Sequence, residues 1–183
     1  MFKHILVAVD GSAPANRGLN SAINLAADQH AILHILHVVD STPITVGLAG
    51  EMPTVYLDSL VKAFRDGGRI VLAKAESLAR NRGADVLSAL VESSGRSVAD
   101  TILHEAKKKK ADLIVLGTHG RRGIRRILLG SDAESVLRES CVPVLLVRAT
   151  EPAKRSRRAR PAKAASVKPA PTPTRRQTAD TRA

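Results

Sequence analysis

Apolar residues fall into short continuous runs that alternate with stretches of helical periodicity. Ile5 to Val9 is the first run, and Asp10-Gly11-Ser12 reads as the turn that ends it. Pro14 then marks a helix start, and Leu19, Ile23, Ala26 and Ala27 recur at helical spacing before a second run from Ile32 to Val39. The first forty residues therefore predict a βαβ unit. From Leu57 the positions Leu60, Val61, Phe64, Val71, Leu72, Ala75, Leu78 and Ala79 predict a helix. Gly67-Gly68 interrupts it, each glycine costing about 1 kcal/mol relative to Ala, which makes this the place where the helix would kink. Val86 to Val91 is a third strand, and Ser97 with Asp100 opens a helix ending in the lysine run 107–110, which complements the negative end of the helix dipole. Leu113 to Leu116 is a fourth strand. Val142 to Val147, with Pro143 near its start, is the fifth. Continuous apolar runs suit strands buried on both faces. The fold class is therefore α/β: an open five-stranded parallel sheet, order 3-2-1-4-5, with right-handed crossovers and helices on both faces.

Composition sharpens this. The chain has 183 residues, 44% of them hydrophobic but only 2% aromatic, so the core must be built from Leu, Val, Ile and Ala. Cys141 is the sole cysteine, which excludes an intrachain disulfide, agrees with a reducing compartment, and is expected to be a small buried hydrophobe beside a strand. Ile5 to Val9 is too short for a signal peptide or a membrane span, so the expectation is a cytoplasmic protein with no membrane partner. Two units are expected, a domain over 1–150 and a disordered basic tail over 151–183 rich in Pro, Ala, Arg and Lys. Ten basic residues from Lys154 to Arg182 against Glu151 and Asp180 give the tail +8 of the chain's +12. Such a tail either binds a polyanion such as nucleic acid by counterion release, without reading sequence because it has no aromatics, or is a solubilising extension.

The candidate chemistry lies between Ala111 and Ser131. Gly117 sits just past the fourth strand's carboxyl end, where ligands of open α/β sheets bind. Gly117, Gly120 and Gly130 can take backbone angles closed to other residues and so let main-chain N–H groups approach an anion. Ser131 reads as an N-cap with Glu134 at capping-box spacing, which would aim a helix N-terminus at the same anion. Arg121, Arg122, Arg125 and Arg126 between the glycines are either a solvated face or anion contacts, and His119 is an exposed loop residue or a phosphate donor. Asp10 is either a turn former or a site residue, and Asp40 either a turn residue or an acceptor for a ribose hydroxyl. His34 and His37, three apart on one strand, point to opposite faces, so they cannot ligate one metal together and are read as packed or hydrogen-bonded.

LIVLGTHGRRG, the spacing Gly-x2-Gly-x9-Gly-Ser, MFKHILVAVDGS at the amino terminus and LHVVD at 36–40 together resemble the ATP-binding branch of the universal stress protein family over roughly residues 1–150. The resemblance implies a Rossmann-like sheet of the adenine nucleotide alpha hydrolase kind, binding ATP with Mg2+. It places Asp10 near the phosphates and their ion and the backbone of Val38 against the adenine. Magnesium suits one carboxylate plus phosphates and water. Asp132 stands where the family commonly has valine, and a carboxylate there favours the helix dipole but repels phosphate. The resemblance also implies a homodimer paired through Val142 to Val147, an apolar edge that needs a partner.

The resulting expectation is a nucleotide-binding stress-response module rather than a catalyst. Gly-x4-Gly-Lys-Ser/Thr is absent, and the first turn, DGSAPANRG, lacks Gly-x-Gly-x-x-Gly, which sets aside P-loop ATPases and Rossmann dehydrogenases. The alternatives are a slow ATPase of the same fold, or a nucleic-acid-associated protein working through its tail.

Overall fold

A computed structural model describes residues 1–40, 53–118 and 129–148. The linker at 41–52, the loop at 119–128 with Gly120 and the four arginines, and the tail at 151–183 lie outside the described residues. The elements in chain order are β1 (His4–Ala8), α1 (Ala13–Gln29), β2 (Ile32–Val39), α2 (Thr54–Asn81), β3 (Asp85–Glu92), α3 (Val98–Lys108), β4 (Leu113–Gly117), α4 (Ser131–Glu139) and β5 (Val144–Val147).

All strand pairings are parallel, and the sheet order is β3-β2-β1-β4-β5. Alternate strand residues serve opposite faces, as the pleat requires. Ile5, Val7, Leu33, Ile35, Leu113 and Val115 pack with Leu19 and Ile23 of α1 and Ala75 and Ala79 of α2. Leu6, Leu36, Ile114 and Leu116 pack with Ile102 and Ala106 of α3 and Val136 of α4. The buried hydrophobic residues of both clusters are aliphatic.

Local signals explain most element ends. Ser12 caps α1, its Oγ accepting from Ala15 N–H at 3.3 Å, and Pro14 lies in the first turn. Ser97 caps α3 in the same way, accepting from Asp100 N–H at 3.0 Å while donating to the Asp100 carboxylate. β5 begins only at Val144, one residue past Pro143, whose missing N–H cannot join a ladder.

One residue here has a packing reason that the sequence did not offer, and one expectation is corrected. α2 runs unbroken through Gly67-Gly68. A Cβ on Gly68 would lie 2.7 Å from His37 Cδ2 and 2.9 Å from Leu90 Cδ1, so this glycine serves close packing on the sheet. Cys141, expected to be buried, is exposed in the short connection between α4 and β5.

Candidate functional site

The chain leaves β1 toward β2 on one side of the sheet and passes from β4 to β5 on the other, so the carboxyl ends of β1 and β4 form a topological switch point. Asp10 ends the β1 side. Its Oδ1 accepts from Ser12 N–H at 2.9 Å, and Gly11 adopts φ 83, so a tight turn leads straight into the N-cap of α1. On the β4 side, Gly117 lies directly beneath that helix start: a Cβ there would sit 2.6 Å from Ala15 N and 2.7 Å from the Pro14 carbonyl carbon. Thr118 follows, buried, with its N–H bonded to Val147 O at 3.0 Å and its carbonyl accepting from Gly130 N–H at 2.8 Å. That bond returns the chain to the end of β4 as α4 begins. Two helix N-termini, those of α1 and α4, thus start at one end of the sheet beside the switch point, which favours an anion there.

Asp10, Gly117, Gly130 and Ser131 are therefore brought to the same end of the sheet, with Val38 one residue from the carboxyl end of the neighbouring β2. Gly120 lies outside the described residues. The stated reasons for three of these residues change. Gly130, not Ser131, is the N-cap of α4; its backbone is extended (φ −79, ψ 150), its carbonyl accepts from Glu134 N–H at 2.9 Å, and the cap has no side-chain hydrogen bond. The Gly130 N–H bonds directly to the Thr118 carbonyl, while Asp132 and Glu134 in the first turn complement the dipole. Neither Gly117 nor Gly130 has a positive φ, so neither supplies the unusual backbone angles expected of it; Gly117 is required by the approach of α1.

Asp40 accepts from Ser93 Oγ at 3.4 Å, linking the ends of β2 and β3. The two β2 histidines do face opposite sides of the sheet. His37 is 2% exposed, contacts the α2 side and bonds through Nδ1 to Val9 O at 2.7 Å. His34 faces α3 and shares a 3.2 Å contact between its Nε2 and His4 Nδ1. Burial, then the nearby His4 and Lys109, hold His34 below the ordinary imidazole value of 6.5. Its buried Nδ1 has no hydrogen-bond partner among the described residues, and the residue lines a cavity of about 20 Å3 together with Leu36, Leu87, Glu105 and Lys109. That space suits about one water and lies at mid-sheet, away from the switch point.

Among the described residues no group of three or more His, Cys, Asp or Glu is placed to hold a metal. A single carboxylate, Asp10, at an anion-favouring crevice fits an ion held chiefly by phosphate and water, as Mg2+ is. Among the same residues no helix is long and apolar enough to cross a membrane. Sequence reasoning gave no part in the site to Ser12, His37 or Thr118, although it read Ser12 in the first turn and His37 as packed or hydrogen-bonded. The place of Ser12 before Pro14 is the signal of a cap, whereas the other two act through partners far away in sequence.

A family model described as "Universal stress protein family" matches residues 1–148. The chain is 36% identical over 148 residues to universal stress protein MJ0531 of Methanocaldococcus jannaschii, covering 81% of this chain and 83% of that one. It is 38% identical to a universal stress family protein from Burkholderia pseudomallei, with a TM-score of 0.64 over 80% of this chain and 96% of the other. Two further structures, each 25% identical, carry adenine nucleotides. One is a universal stress protein in complex with cAMP, with a TM-score of 0.59 over 81% of this chain and 99% of that one. The other, from Archaeoglobus fulgidus, is in complex with dAMP, with a TM-score of 0.55 over 79% and 97%.

Proposed function

The chain belongs to the universal stress protein family, and from that premise we propose that it binds an adenine nucleotide, ATP with Mg2+, at the β1/β4 switch point. One observation carries this reading. The Asp10 turn, the end of β4 and the starts of α1 and α4 converge at one end of the sheet, tied together by the Gly130–Thr118 bond and the contact of Gly117 with Ala15. The complexes of related proteins with cAMP and dAMP support the ligand class. In this reading the N–H groups at the helix starts, with Gly117, Gly120, Gly130 and Ser131, cradle the phosphates. Asp10 holds the ion, and the main chain at Val38 meets the base. Bound magnesium would neutralise phosphate charge. Asp10 would orient it through the carboxylate that also fixes the Ser12 turn.

The protein acts as a binding module in the cytoplasm, and its dimer forms through the β5 edge, Val142 to Val147. β5 is the last strand of the sheet and its four residues are only partly buried, so pairing with a second copy would cover them. Titration calorimetry with ATP, AMP and cAMP, with and without Mg2+, tests the ligand. Binding by the native chain and its loss in a folded Gly120→Val variant are the expected results, and unchanged affinity in that variant refutes the site. Sedimentation as a monomer at micromolar concentration refutes the dimer.

The charge of residues 151–183 favours a second activity in the same chain, nonspecific binding of nucleic acid or another polyanion. Affinity for a random duplex should fall about a thousandfold between 50 and 200 mM salt if six or more phosphates are neutralised. Equal binding by protein truncated at Thr150 would end this reading.

A further inference from the structure

The β1–β2 ladder has its last pair at Ala8 and Leu36. One residue on, Val9 N–H still donates to Leu36 O at 2.9 Å, but the Val9 carbonyl accepts from the His37 ring, Nδ1 to O at 2.7 Å. A carbonyl oxygen only accepts, so the imidazole proton resides on Nδ1. The ring is buried and backed by α2 at Gly68, where a Cβ would come within 2.7 Å of Cδ2 and 2.9 Å of Nε2. Glycine at 68 is thus what leaves room for the ring where it can reach Val9.

The main-chain groups of β2 point alternately to its two neighbours. Leu36 O is directed to the β1 side, where it meets Val9 N–H, and Val39 O to the β3 side, where it accepts from Ser93 N–H at 3.0 Å. The N–H and C=O of Val38 therefore share the side of Leu36. They face β1 just past the last pair of the ladder, beside the switch point.

We propose that His37 is a positioning residue for the nucleotide site, its imidazole ending the β1–β2 ladder at Val9 and fixing the Val9–Asp10 turn relative to the main chain of Val38. The proposal rests on the adenine-nucleotide reading above and deepens it: the side chain touches no ligand, yet it sets the spacing between the group that meets the base and the carboxylate beside the phosphates. A side chain is suited to this task because a continued ladder would draw β1 and β2 together at the point where the base must enter. The hydrogen bond keeps the buried carbonyl satisfied while the strands part.

The experiment compares the full chain with His37→Asn, whose amide can place a donor near the position of Nδ1, and His37→Leu, which cannot donate. Without nucleotide, the ring 15N spectrum of the native protein at neutral pH should show the Nδ1–H tautomer. The amide resonances of Asp10, Gly11, Ser12 and Val38 should move strongly in the Leu variant and little in the Asn variant. With ATP and Mg2+, calorimetry should show about tenfold weaker binding for His37→Leu, the scale of one lost hydrogen bond, and rescue to within about threefold by His37→Asn. An Nε2–H tautomer, or equal resonances and equal affinities in the two variants, would overturn the proposal. If the native chain binds no nucleotide, the ligand reading fails, and the spectra alone still decide whether His37 fixes the turn. Should His37→Leu not fold, Gly68→Ala displaces the ring while keeping its donor; unmoved Asp10 and Val38 resonances in that variant would equally refute the assignment.

Discussion

Adjacent glycines in α2 offer a controlled test of the packing that frames the site. Gly67→Ala and Gly68→Ala remove the same backbone freedom from the interior of the same helix, so each gains about 0.8–1 kcal/mol of helix propensity. A Cβ on Gly67 meets nothing within 4 Å, and that gain should appear in full. On a unit of roughly 150 residues it should raise Tm by about 2–4 °C. A Cβ on Gly68 lies 2.7 and 2.9 Å from the His37 ring and 2.9 Å from Leu90 Cδ1. The leucine methyl can rotate away. The ring is held by its bond to Val9 O, so ring or helix must shift, at the about 1–3 kcal/mol typical of overpacking. Propensity cancels in the difference between the two variants, leaving the steric cost alone: Gly68→Ala should be less stable than Gly67→Ala by about 1–3 kcal/mol. Urea denaturation followed by circular dichroism reads this directly, provided the m values agree. Equal midpoints for the two variants would refute the account of Gly68.

Gly117→Ala should destabilise the domain by about 1–3 kcal/mol, because the atoms its Cβ would meet at Ala15 and Pro14 include backbone that cannot rotate aside; a midpoint within error of the native protein in urea would contradict this. Asp132→Val should strengthen ATP binding about two- to fivefold at low salt by removing an exposed negative charge from the first turn of α4, an effect that calorimetry should find fading at high ionic strength. His34, held below 6.5 by burial first, binds a proton more readily in the unfolded chain. Its contribution to stability is therefore intact above about 6.5 and is lost as pH falls from there through the lowered folded value. Denaturation midpoints measured from pH 7.5 to 5 should fall less in His34→Gln than in the native protein, and parallel curves would count against it.

Strands buried on both faces leave a signature in sequence, and for that reason β2 spans the whole apolar run Ile32–Val39 and the sheet order follows from parallel connection rules. Caps were legible at Ser97, where a side chain makes one, while Ser12 read only as part of the first turn. They were not legible at α4, because Gly130 caps through its main chain and owes its position to Thr118, across the loop at 119–128. Gly68 read only as a place for a kink because nothing near it in sequence indicates that His37 will occupy the space of its side chain. Cys141 read as buried from its residue type, and only the placement of the connection between α4 and β5 exposes it.

The same distinction bears on what the glycine spacing means. Gly117 stood in sequence as the first member of a phosphate cradle, yet the approach of Ala15 and Pro14 makes a side chain there destabilising whether or not any anion binds. Loss of affinity in Gly117→Ala would follow from displacement of α1 alone and so says nothing about phosphate. The support for the nucleotide reading rests instead on groups whose arrangement packing does not demand: a carboxylate turned into the start of α1 at Asp10, and an α4 N-terminus whose N-cap residue, a glycine, makes no side-chain cap bond. Asp132 is exposed and lies on that first turn, so its replacement alters the charge an anion meets while leaving the core intact. A gain in affinity there, with stability lowered by no more than the about 0.3–1 kcal/mol of the helix-dipole interaction, separates recognition of a phosphate from the packing that happens to require the same glycines.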